Sequence, residues 1–209
     1  MATKAYWESV YRRNSANEVS WYRLHLEESV KLIQQAAPDC SAAIIDVGGG
    51  ESTLVDDLLT LGYQNVSVLD ISSGAIQATQ QRLGKAASTV EWLVGDITKA
   101  TLPNQRYAVW HDRAVFHFLV NPAQQAAYIQ QILNSLTKDG HLVMAVFGPD
   151  SPKQCSGLEV VRHDIELLCK HVGPKFELIN HSLEEHHTPR GKTQQFLYAH
   201  FRFKGSKSS

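Results

Sequence analysis

A glycine-rich turn with an acid before it, and a second acid further along the chain, could bind a nucleotide. The turn is Gly48-Gly49-Gly50, and Asp46 precedes it. Glycine permits positive φ and lets a ligand approach the backbone closely. Asp70 ends the next apolar segment about 20 residues on, where a carboxylate can accept hydrogen bonds from both hydroxyls of a ribose. The spacing therefore predicts a nucleotide-binding strand–turn–helix unit.

A third position strengthens this prediction. Gly95-Asp96-Ile97 follows the third apolar segment, and an Asp side chain there can accept a hydrogen bond from an adenine amino group. The alternative is a plain strand-to-helix turn at Gly48–Gly50 with Asp70 as a neighbour of a helix N-cap. The predicted cofactor-binding residues are Asp46, Gly48, Gly49, Gly50, Asp70, Ile71, Gly95, Asp96 and Ile97.

Ionisable side chains are also concentrated in the segment Trp110–Phe118, after the fourth apolar run. In α/β enzymes this position lies over the reacting atoms. His111 or His117 could act as a general base, with Asp112 orienting or charging it, if the acceptor arrives protonated. The predicted catalytic residues are thus His111, Asp112 and His117. The alternative is that His117 is a packed helix residue and that Asp112–Arg113 form a local ion pair or cap.

The pair His186-His187, beside Glu184-Glu185, is the segment that could suggest a metal site. Adjacent residues of an extended segment point to opposite faces, so these two imidazoles cannot readily chelate one ion. We predict a solvated loop or the rim of an acceptor pocket here, and no metal ion. The three cysteines are an odd number without C-x-x-C spacing, which predicts neither a disulfide framework nor a zinc site.

Short apolar runs alternate with helical patterns after residue 40. The predicted strands are Ala42–Val47, Val66–Ile71, Val90–Val94, Tyr107–His111 and His141–Phe147. The predicted helices between them are Glu51–Leu61, Ser73–Leu83 and Pro122–Leu136. Continuous apolar strands alternating with helices predict an α/β fold, a parallel sheet covered by helices on both faces. Such sheets bind ligands outside the carboxyl ends of their strands.

The last quarter of the chain follows a different pattern. A helix is predicted at Arg162–Val172, before the stop signal Gly173-Pro174. Two strand-like runs follow, Phe176–Leu183 and Gln195–Phe203, without a helix-length segment between them. We therefore predict that they pair antiparallel as a hairpin.

The first 38 residues contain four aromatic side chains, Trp7, Tyr11, Trp21 and Tyr22, and then an amphipathic helix to about Ala36. We predict that residues 1–38 form a cap over the carboxyl edge of the sheet, residues 39–204 the α/β domain and residues 205–209 a flexible tail. The aromatic set could form a lid or acceptor wall, although core anchoring by Trp7 and Tyr11 is the alternative.

A dinucleotide oxidoreductase is the main competitor for the glycine-rich turn. Its G-x-G-x-x-G fingerprint would need a glycine at position 53 if Gly48 and Gly50 were the first two glycines, and Thr53 stands there. The missing third glycine disfavours close helix packing under a pyrophosphate.

Over about residues 40–150 the chain resembles the class I S-adenosylmethionine-dependent methyltransferases. Their pattern is an acidic glycine-rich first loop, an acid ending the second strand and an Asp after the third, which here are Asp46–Gly50, Asp70 and Asp96. The resemblance implies a Rossmann-like, seven-stranded sheet with one antiparallel strand, and S-adenosylmethionine as cofactor. It implies that Gly48 and Gly50 lie against the methionine part, that Asp70 holds the ribose, and that Asp96 and Ile97 flank the adenine.

Asp112-Arg113-Ala114 resembles the corresponding segment of the thiopurine and thiol S-methyltransferases, and Cys155–Val160 does so more loosely. We therefore predict methyl transfer to a small-molecule acceptor, through a soft nucleophile such as sulfur. A Trp-containing N-terminus like Trp7–Tyr11 also occurs in some protein-lysine methyltransferases, so a protein substrate stays an alternative. A third alternative is a non-catalytic module that binds S-adenosylmethionine.

Composition narrows the partners. The net charge is −1 and the sequence pI is about 6.8, so no basic surface attracts nucleic acid or an anionic membrane. The N-terminus lacks the apolar region of a signal peptide, and no stretch approaches the ~20 apolar residues of a membrane span. We therefore expect a cytoplasmic location and neither nucleic acid nor membrane as a partner; the oligomeric state stays open.

Overall fold

The computed structural model of this 209-residue chain describes residues 3–205. Its strands are β1 Ala43–Val47, β2 Asn65–Asp70, β3 Glu91–Val94, β4 Tyr107–Arg113, β5 Leu136–Phe147, β6 Gln154–Cys155, β7 Leu158–Glu159, β8 Phe176–His187 and β9 Thr193–Phe203. Its α-helices are α1 Lys4–Arg13, α2 Glu27–Ala36, α3 Leu54–Thr60, α4 Ser73–Leu83, α5 Pro122–Ser135 and α6 Ile165–Val172. Of the predicted tail, residues 206–209 lie outside the described residues.

Seven strands form one sheet in the order β3-β2-β1-β4-β5-β9-β8. The first five are parallel, whereas β9 runs antiparallel to both β5 and β8. The predicted fold class and the terminal hairpin are thereby confirmed. A separate two-stranded sheet, β6–β7, was not predicted.

Successive residues of each central strand point to opposite faces of the sheet. On β1, Ile44 packs into a core with the apolar sides of α2, α3 and α4, while Ile45 packs into a second core with α5 and α6. Both side chains are fully buried. Because both faces are covered, the strands are apolar throughout, and the polar residues that remain on them need a specific reason to be there.

Several boundaries differ from the predictions, and four of the differences have a clear structural cause. Helix α3 begins at Leu54 instead of Glu51, because the glycine turn continues to Thr53 before regular helix forms. Strand β4 continues past His111 to Arg113, since the chain keeps pairing with β5 there. Strand β5 begins at Leu136 and passes through Asp139, whose φ is +61°.

The fourth difference corrects the prediction of a solvated loop at 184–187. This segment pairs residue by residue with β9, so β8 extends to His187. His186 faces inward and is buried, and its ring nitrogens lie 2.7 Å from the Ser20 carbonyl oxygen and 3.1 Å from Arg23 Nε. His186 is buried and the adjacent His187 is exposed, so the two side chains point to opposite faces of the strand. The prediction that they do not chelate one ion assumed this geometry.

The N-terminal segment has two parts in space. Helix α2 packs against β4, β5 and α3, and its Leu32 and Ile33 belong to the core of the sheet. Helix α1 instead packs against α4 near the carboxyl ends of the strands. Only residues before about Leu26 therefore lie where a cap over the carboxyl edge was predicted.

Candidate functional site

A cavity lies at the carboxyl ends of β1, β2, β3 and β4, beneath α1 and the chain that follows it. Seven of the nine predicted cofactor-binding residues line it: Asp46, Gly48, Gly49, Asp70, Ile71, Gly95 and Ile97. Of the three predicted catalytic residues, His111 lines the cavity, whereas Asp112 and His117 do not. The topology thus brings the end of each of these strands to one site.

The glycine turn fits closely among its neighbours. Gly48 has a φ of +74°, and a Cβ there would lie 2.0 Å from Val115 Cγ2. A Cβ on Gly49 would lie 2.6 Å from Asp46 Oδ2. The backbone N–H of Gly48 donates to the carbonyl oxygen of Leu69 at the end of β2, over 2.6 Å. No larger residue fits at these two positions, so the turn can come close to the ends of β2 and β4.

Asp70 is 4% exposed at the end of β2, and its Oδ1 accepts a hydrogen bond from the backbone N–H of Ser72 over 2.7 Å. The pKa of Asp70 is raised to about 7, mainly by burial and in addition by the nearby carboxylates of Asp46 and Glu8. Hydrogen bonds from the Ser72 and Gly50 backbone oppose this rise. Asp70 is therefore a carboxyl group at a cavity wall whose charge changes near neutral pH.

Tyr11 covers the part of the glycine turn that does not face the cavity. A Cβ on Gly50 would lie 2.6 Å from Tyr11 Oη and 2.8 Å from Asp70 Oδ2. Burial raises the pKa of Tyr11 well above its ordinary value, and the Asp70 and Glu51 carboxylates raise it further, so it is a neutral phenol. The Tyr11 hydroxyl therefore occupies the space beside Gly50 that the resemblance assigned to the methionine part.

Asp96 also lies off the cavity wall. Its Oδ1 accepts hydrogen bonds from the backbone N–H of Thr98 over 3.0 Å and from Thr98 Oγ1 over 2.7 Å. Its neighbours Gly95 and Ile97 do line the cavity. In this structure Asp96 organises the turn after β3.

His111 connects the cavity wall to helix α2. Its Nδ1 lies 2.7 Å from Asp46 Oδ1, and its Nε2 lies 2.9 Å from Ser29 Oγ. The side chain is 1% exposed. Because both ring nitrogens are occupied, His111 has none free to take a proton from an acceptor. Its position fits a residue that orients Asp46.

The positions of Asp112 and His117 speak against the catalytic roles predicted for them. Asp112 is fully buried and accepts hydrogen bonds from the backbone N–H groups of Val115 and Phe116, at 2.9 and 3.0 Å, and from the Tyr128 hydroxyl. It thereby fixes the turn after β4, where Ala114 has a φ of +72°. The local-cap alternative describes this geometry.

His117 is likewise fully buried, and its Nδ1 accepts a hydrogen bond from the backbone N–H of Phe147 over 3.1 Å. Its pKa is lowered to about 3, mainly by burial and in addition by His163 and Arg113. A neutral imidazole enclosed by the rings of Phe118 and Phe147 is a core residue, which was the alternative to the catalytic role.

Helix α1 is fastened over the cavity at both sides. The Glu8 carboxylate accepts hydrogen bonds from the backbone N–H of Ser73 over 2.8 Å and of Gly74 over 3.3 Å, at the N-terminus of α4. Burial raises the Glu8 pKa, but these hydrogen bonds outweigh it and the pKa is lowered. On the other side, the Tyr6 hydroxyl donates to the Ser156 carbonyl oxygen. A carboxylate at a helix N-terminus is electrostatically favoured.

Aromatic rings close the cavity beneath this helix. Trp7 makes edge contacts with Trp21 and Phe118, at centroid distances of 6.0 and 5.0 Å, and Tyr11 meets Trp21 at 6.2 Å. All four side chains line the cavity, as does Tyr22. The aromatic set that the sequence singled out thus forms a lid over the carboxyl edge.

The β4 side of the cavity contains a cation that the sequence predictions left out. Arg113 is 9% exposed, and it lines the cavity together with Ala114 and Val115. Its Nε donates to the Tyr198 hydroxyl over 3.1 Å, and its Nη1 donates to the Trp21 carbonyl oxygen over 2.8 Å. The available signal was an arginine at the end of a parallel strand, the usual place for a ligand group.

Glu51 was also missed, although it directly follows the three glycines. It lines the cavity, and its Oε2 is buried without a hydrogen-bond partner among the described residues. Asp46 Oδ2 is likewise buried without a hydrogen-bond partner among these residues. Burial raises the Glu51 pKa, and only Arg82 opposes this.

These features fit S-adenosylmethionine, whose sulfonium and ammonium groups are cationic. Asp46 and Glu51 both line the cavity, and each has one buried carboxylate oxygen without a hydrogen-bond partner among the described residues. A bound cation would satisfy these two oxygens. Asp70 offers a carboxylate acceptor at the same cavity wall, and Gly48 and Gly49 beside it carry no side chains. Within residues 3–205, no group of three or more His, Cys, Asp or Glu side chains could hold a metal ion. Nor does any helix among these residues have the length and apolarity needed to cross a membrane.

Comparison with known proteins finds methyltransferases among those similar to this chain. The family described as "Methyltransferase domain" matches residues 44–140, from β1 to the start of β5. The mouse eEF1A lysine and N-terminal methyltransferase is 23% identical over 138 residues, which are 66% of this chain and 19% of that protein. The chain thus spans about a fifth of the length of this relative.

Two solved structures share the fold across almost the whole chain. One, solved in a study of the conversion of a disulfide bond into a thioacetal group during echinomycin biosynthesis, superposes with a TM-score of 0.77. It is 15% identical, over 97% of this chain and 92% of that one.

The other is a Burkholderia thailandensis 1,6-didemethyltoxoflavin N1-methyltransferase with bound S-adenosylhomocysteine. Its TM-score is 0.69 at 15% identity, covering 95% of this chain and 84% of that one. Residues 44–140 therefore match the methyltransferase-domain family, and the chain shares the fold of these two solved structures.

Proposed function

We propose that this chain transfers the methyl group of S-adenosylmethionine to a small-molecule acceptor, through a soft nucleophile such as a thiolate. The observation that carries the proposal is the β4 side of the cavity, which is enclosed by aromatic rings and to which the described residues contribute no free base. This proposal concerns the acceptor, about which the match over residues 44–140 gives no information.

The cofactor lies, in this proposal, along the ends of β1, β2 and β3. Asp70 accepts hydrogen bonds from the ribose hydroxyls, and Ile71 and Ile97 contact the adenine. Asp46 and Glu51 neutralise the cationic groups, and Gly48 and Gly49 allow close backbone approach. Asp46 is held in place by His111, which acts as a positioning residue.

The acceptor then lies at the opposite flank, at the end of β4, because the sheet order places β4 next to β1 and away from β2 and β3. There Trp7, Trp21, Tyr22 and Phe118 surround the cavity. Aromatic walls with few polar groups are typical of pockets that bury most of a small ligand. They also exclude water, which favours holding nucleophile and methyl group in line.

Among the described residues that line the cavity, the carboxylates Asp46, Glu51 and Asp70 belong to the cofactor side, and the one imidazole, His111, has both nitrogens occupied. On the acceptor side, none of the lining residues within 3–205 can accept a proton from a strongly basic nucleophile. A thiol, with an ordinary pKa of about 8.5, reaches its nucleophilic thiolate form in water without such a base. S-Adenosylmethionine supplies a methyl group on a positively charged sulfur, which regains the electron pair of the broken bond as the acceptor forms its own bond to the methyl carbon.

Protein-lysine methylation is the second candidate, and the similarity to the mouse lysine and N-terminal methyltransferase favours it. The cavity favours it less. A lysine ammonium group would approach the Arg113 cation, and no free carboxylate on the β4 side would compensate for that repulsion.

Incubation with methyl-labelled cofactor separates these functions. One set of reactions receives small thiols and small amines, and a second set receives a protein extract. The Asp70→Asn variant provides the background, because its cofactor site is impaired. We expect label on a small thiol, dependent on Asp70. Label on a protein band while every small acceptor stays blank would refute the proposal and support the lysine candidate. Label in neither set, with tight binding of S-adenosylhomocysteine, would indicate a non-catalytic binding module.

A further inference from the structure

We infer that Arg113 binds an anionic group of the acceptor, of the carboxylate type, so that the natural acceptor is an organic acid or its equivalent. This inference rests on the proposed function in that it places the acceptor at the end of β4. It adds the charge of that acceptor and the residue that recognises it.

The Arg113 side chain has an incomplete set of hydrogen bonds. Two of its three nitrogens are used, Nε by the Tyr198 hydroxyl and Nη1 by the Trp21 carbonyl oxygen. The third, Nη2, is buried and has no hydrogen-bond partner among residues 3–205. A buried charged donor without a partner is costly unless a ligand completes it. Since the other two nitrogens are directed to the lid and to β9, Nη2 is the one left for a molecule in the cavity.

Arg113 also has no counter-charge among the described residues. No carboxylate in the described part of the chain lies within 4.0 Å of Arg113. The nearby titratable groups include the imidazoles of His117 and His186. Burial first, and the charge of Arg113 in addition, lower the pKa values of both, so they are neutral. The guanidinium is instead stacked on the Phe196 ring, 4.4 Å from its centroid. Stacking leaves the positive charge unneutralised.

The Arg113 guanidinium is, in addition, held in a fixed position. Asp112 fixes the turn that follows Arg113, through its hydrogen bonds to Val115 and Phe116. With Nε and Nη1 held as well, the remaining N–H groups point in a fixed direction. A preorganised guanidinium loses little side-chain entropy when it binds an oxyanion, and such charge-assisted hydrogen bonds are about twice as strong as neutral ones.

Binding to the complex with S-adenosylhomocysteine tests the inference without turnover. Three aromatic carboxylates (benzoate, phenylacetate and 3-phenylpropionate) are each compared with the corresponding uncharged amide by titration calorimetry. We expect at least one carboxylate to bind wild-type protein about tenfold or more tighter than its amide. This comparison needs no variant to fold, and the lack of any carboxylate preference in the wild type would overturn the inference.

Variants then assign the preference to Arg113. Arg113→Gln and Arg113→Met should abolish the preference, with S-adenosylhomocysteine binding confirming that each cofactor domain is folded. Tyr198→Phe is the matched control: it removes one hydrogen bond to the guanidinium but not the charge, and the preference should persist. A preference that survives in either Arg113 variant would overturn the inference. Failure of the proposed methyl transfer is a separate result, because it would appear as missing product while the carboxylate preference remained.

Discussion

The imidazole of His111 joins two parts of the molecule, with Nδ1 2.7 Å from Asp46 Oδ1 and Nε2 2.9 Å from Ser29 Oγ. Asp46 precedes the glycine turn on β1, and Ser29 lies on α2, which is packed against the sheet. The orientation of one cofactor-side carboxylate is therefore linked to the packing of a helix on the face of the sheet.

Replacing His111 should affect cofactor binding more than the chemical step. His111→Leu leaves Asp46 without its buried partner, a loss of about 1–3 kcal/mol, so we expect weaker binding of S-adenosylhomocysteine by calorimetry. Ser29→Ala removes the outer hydrogen bond alone and should have a smaller effect. Unchanged cofactor affinity with lost turnover would instead restore the general-base role predicted from the sequence.

The bond between Glu8 and the N-terminus of α4 should control how long the cofactor stays bound. Glu8→Gln weakens the charge-assisted contacts to Ser73 and Gly74, so α1 should open more often. We expect faster release of S-adenosylhomocysteine, on the order of fivefold, in stopped-flow displacement. Glu27→Gln, in the first turn of α2, is the control. Equal release rates in Glu8→Gln and wild type would show that α1 does not gate the site.

The sequence predicted which residues share the cavity wall because these residues follow strands at fixed distances. Asp46, Gly48 and Asp70 lie at the ends of β1 and β2, where backbone topology alone decides which edge of the sheet they occupy. The parallel sheet and the terminal hairpin followed from apolar patterning in the same way, whereas the seven-stranded architecture was implied by the family resemblance. Periodicity contains this information because it reflects local geometry.

The acceptor side could be predicted less well, because its properties depend on long-range contacts. Whether Asp112 caps a turn or faces a ligand depends on the turn geometry after β4 and on Tyr128, 16 residues later. The significance of Arg113 arises from its partners Trp21 and Tyr198, which come from opposite ends of the chain. No spacing rule relates residues that are 85 or more positions apart.

The affinity for S-adenosylhomocysteine should depend on pH through Asp70. Burial raises the pKa of this carboxyl to about 7, so below pH 7 the free protein carries it increasingly protonated. If the ionised form accepts the ribose hydroxyls, affinity falls as the pH drops, by up to about tenfold per unit below 7. Titrations between pH 5.5 and 8.5 (about three units) measure this slope. Asp70→Asn should bind more weakly with a flat profile, whereas the same slope in this variant would assign the titration elsewhere.

Buried imidazoles should make the fold sensitive to acid. The pKa of His117 is about 3 in the folded protein and near 6.5 when exposed, so only the unfolded chain binds the proton between these values. Stability is therefore full above about pH 6.5 and falls as the pH decreases, by up to about 1.4 kcal/mol per unit for this residue. Urea unfolding at pH 7 and at pH 5 measures the difference.

The matched variant for this test is His117→Asn, whose Oδ1 can still accept the Phe147 N–H. It should lose less stability between the two pH values than wild type. The exposed His187→Asn should behave like wild type. An unchanged pH dependence in His117→Asn would contradict the assignment to this imidazole.

The central claim is that the cavity under α1 binds S-adenosylmethionine with Asp70 on its ribose. Calorimetric titration with S-adenosylhomocysteine, on wild type, Asp70→Asn and the exposed control Asp139→Asn, tests it most directly. The account predicts one site per chain in the wild type, unchanged affinity in Asp139→Asn, and a loss of about 1.5–3 kcal/mol in folded Asp70→Asn. No binding to the wild type, or full affinity in Asp70→Asn, would contradict it.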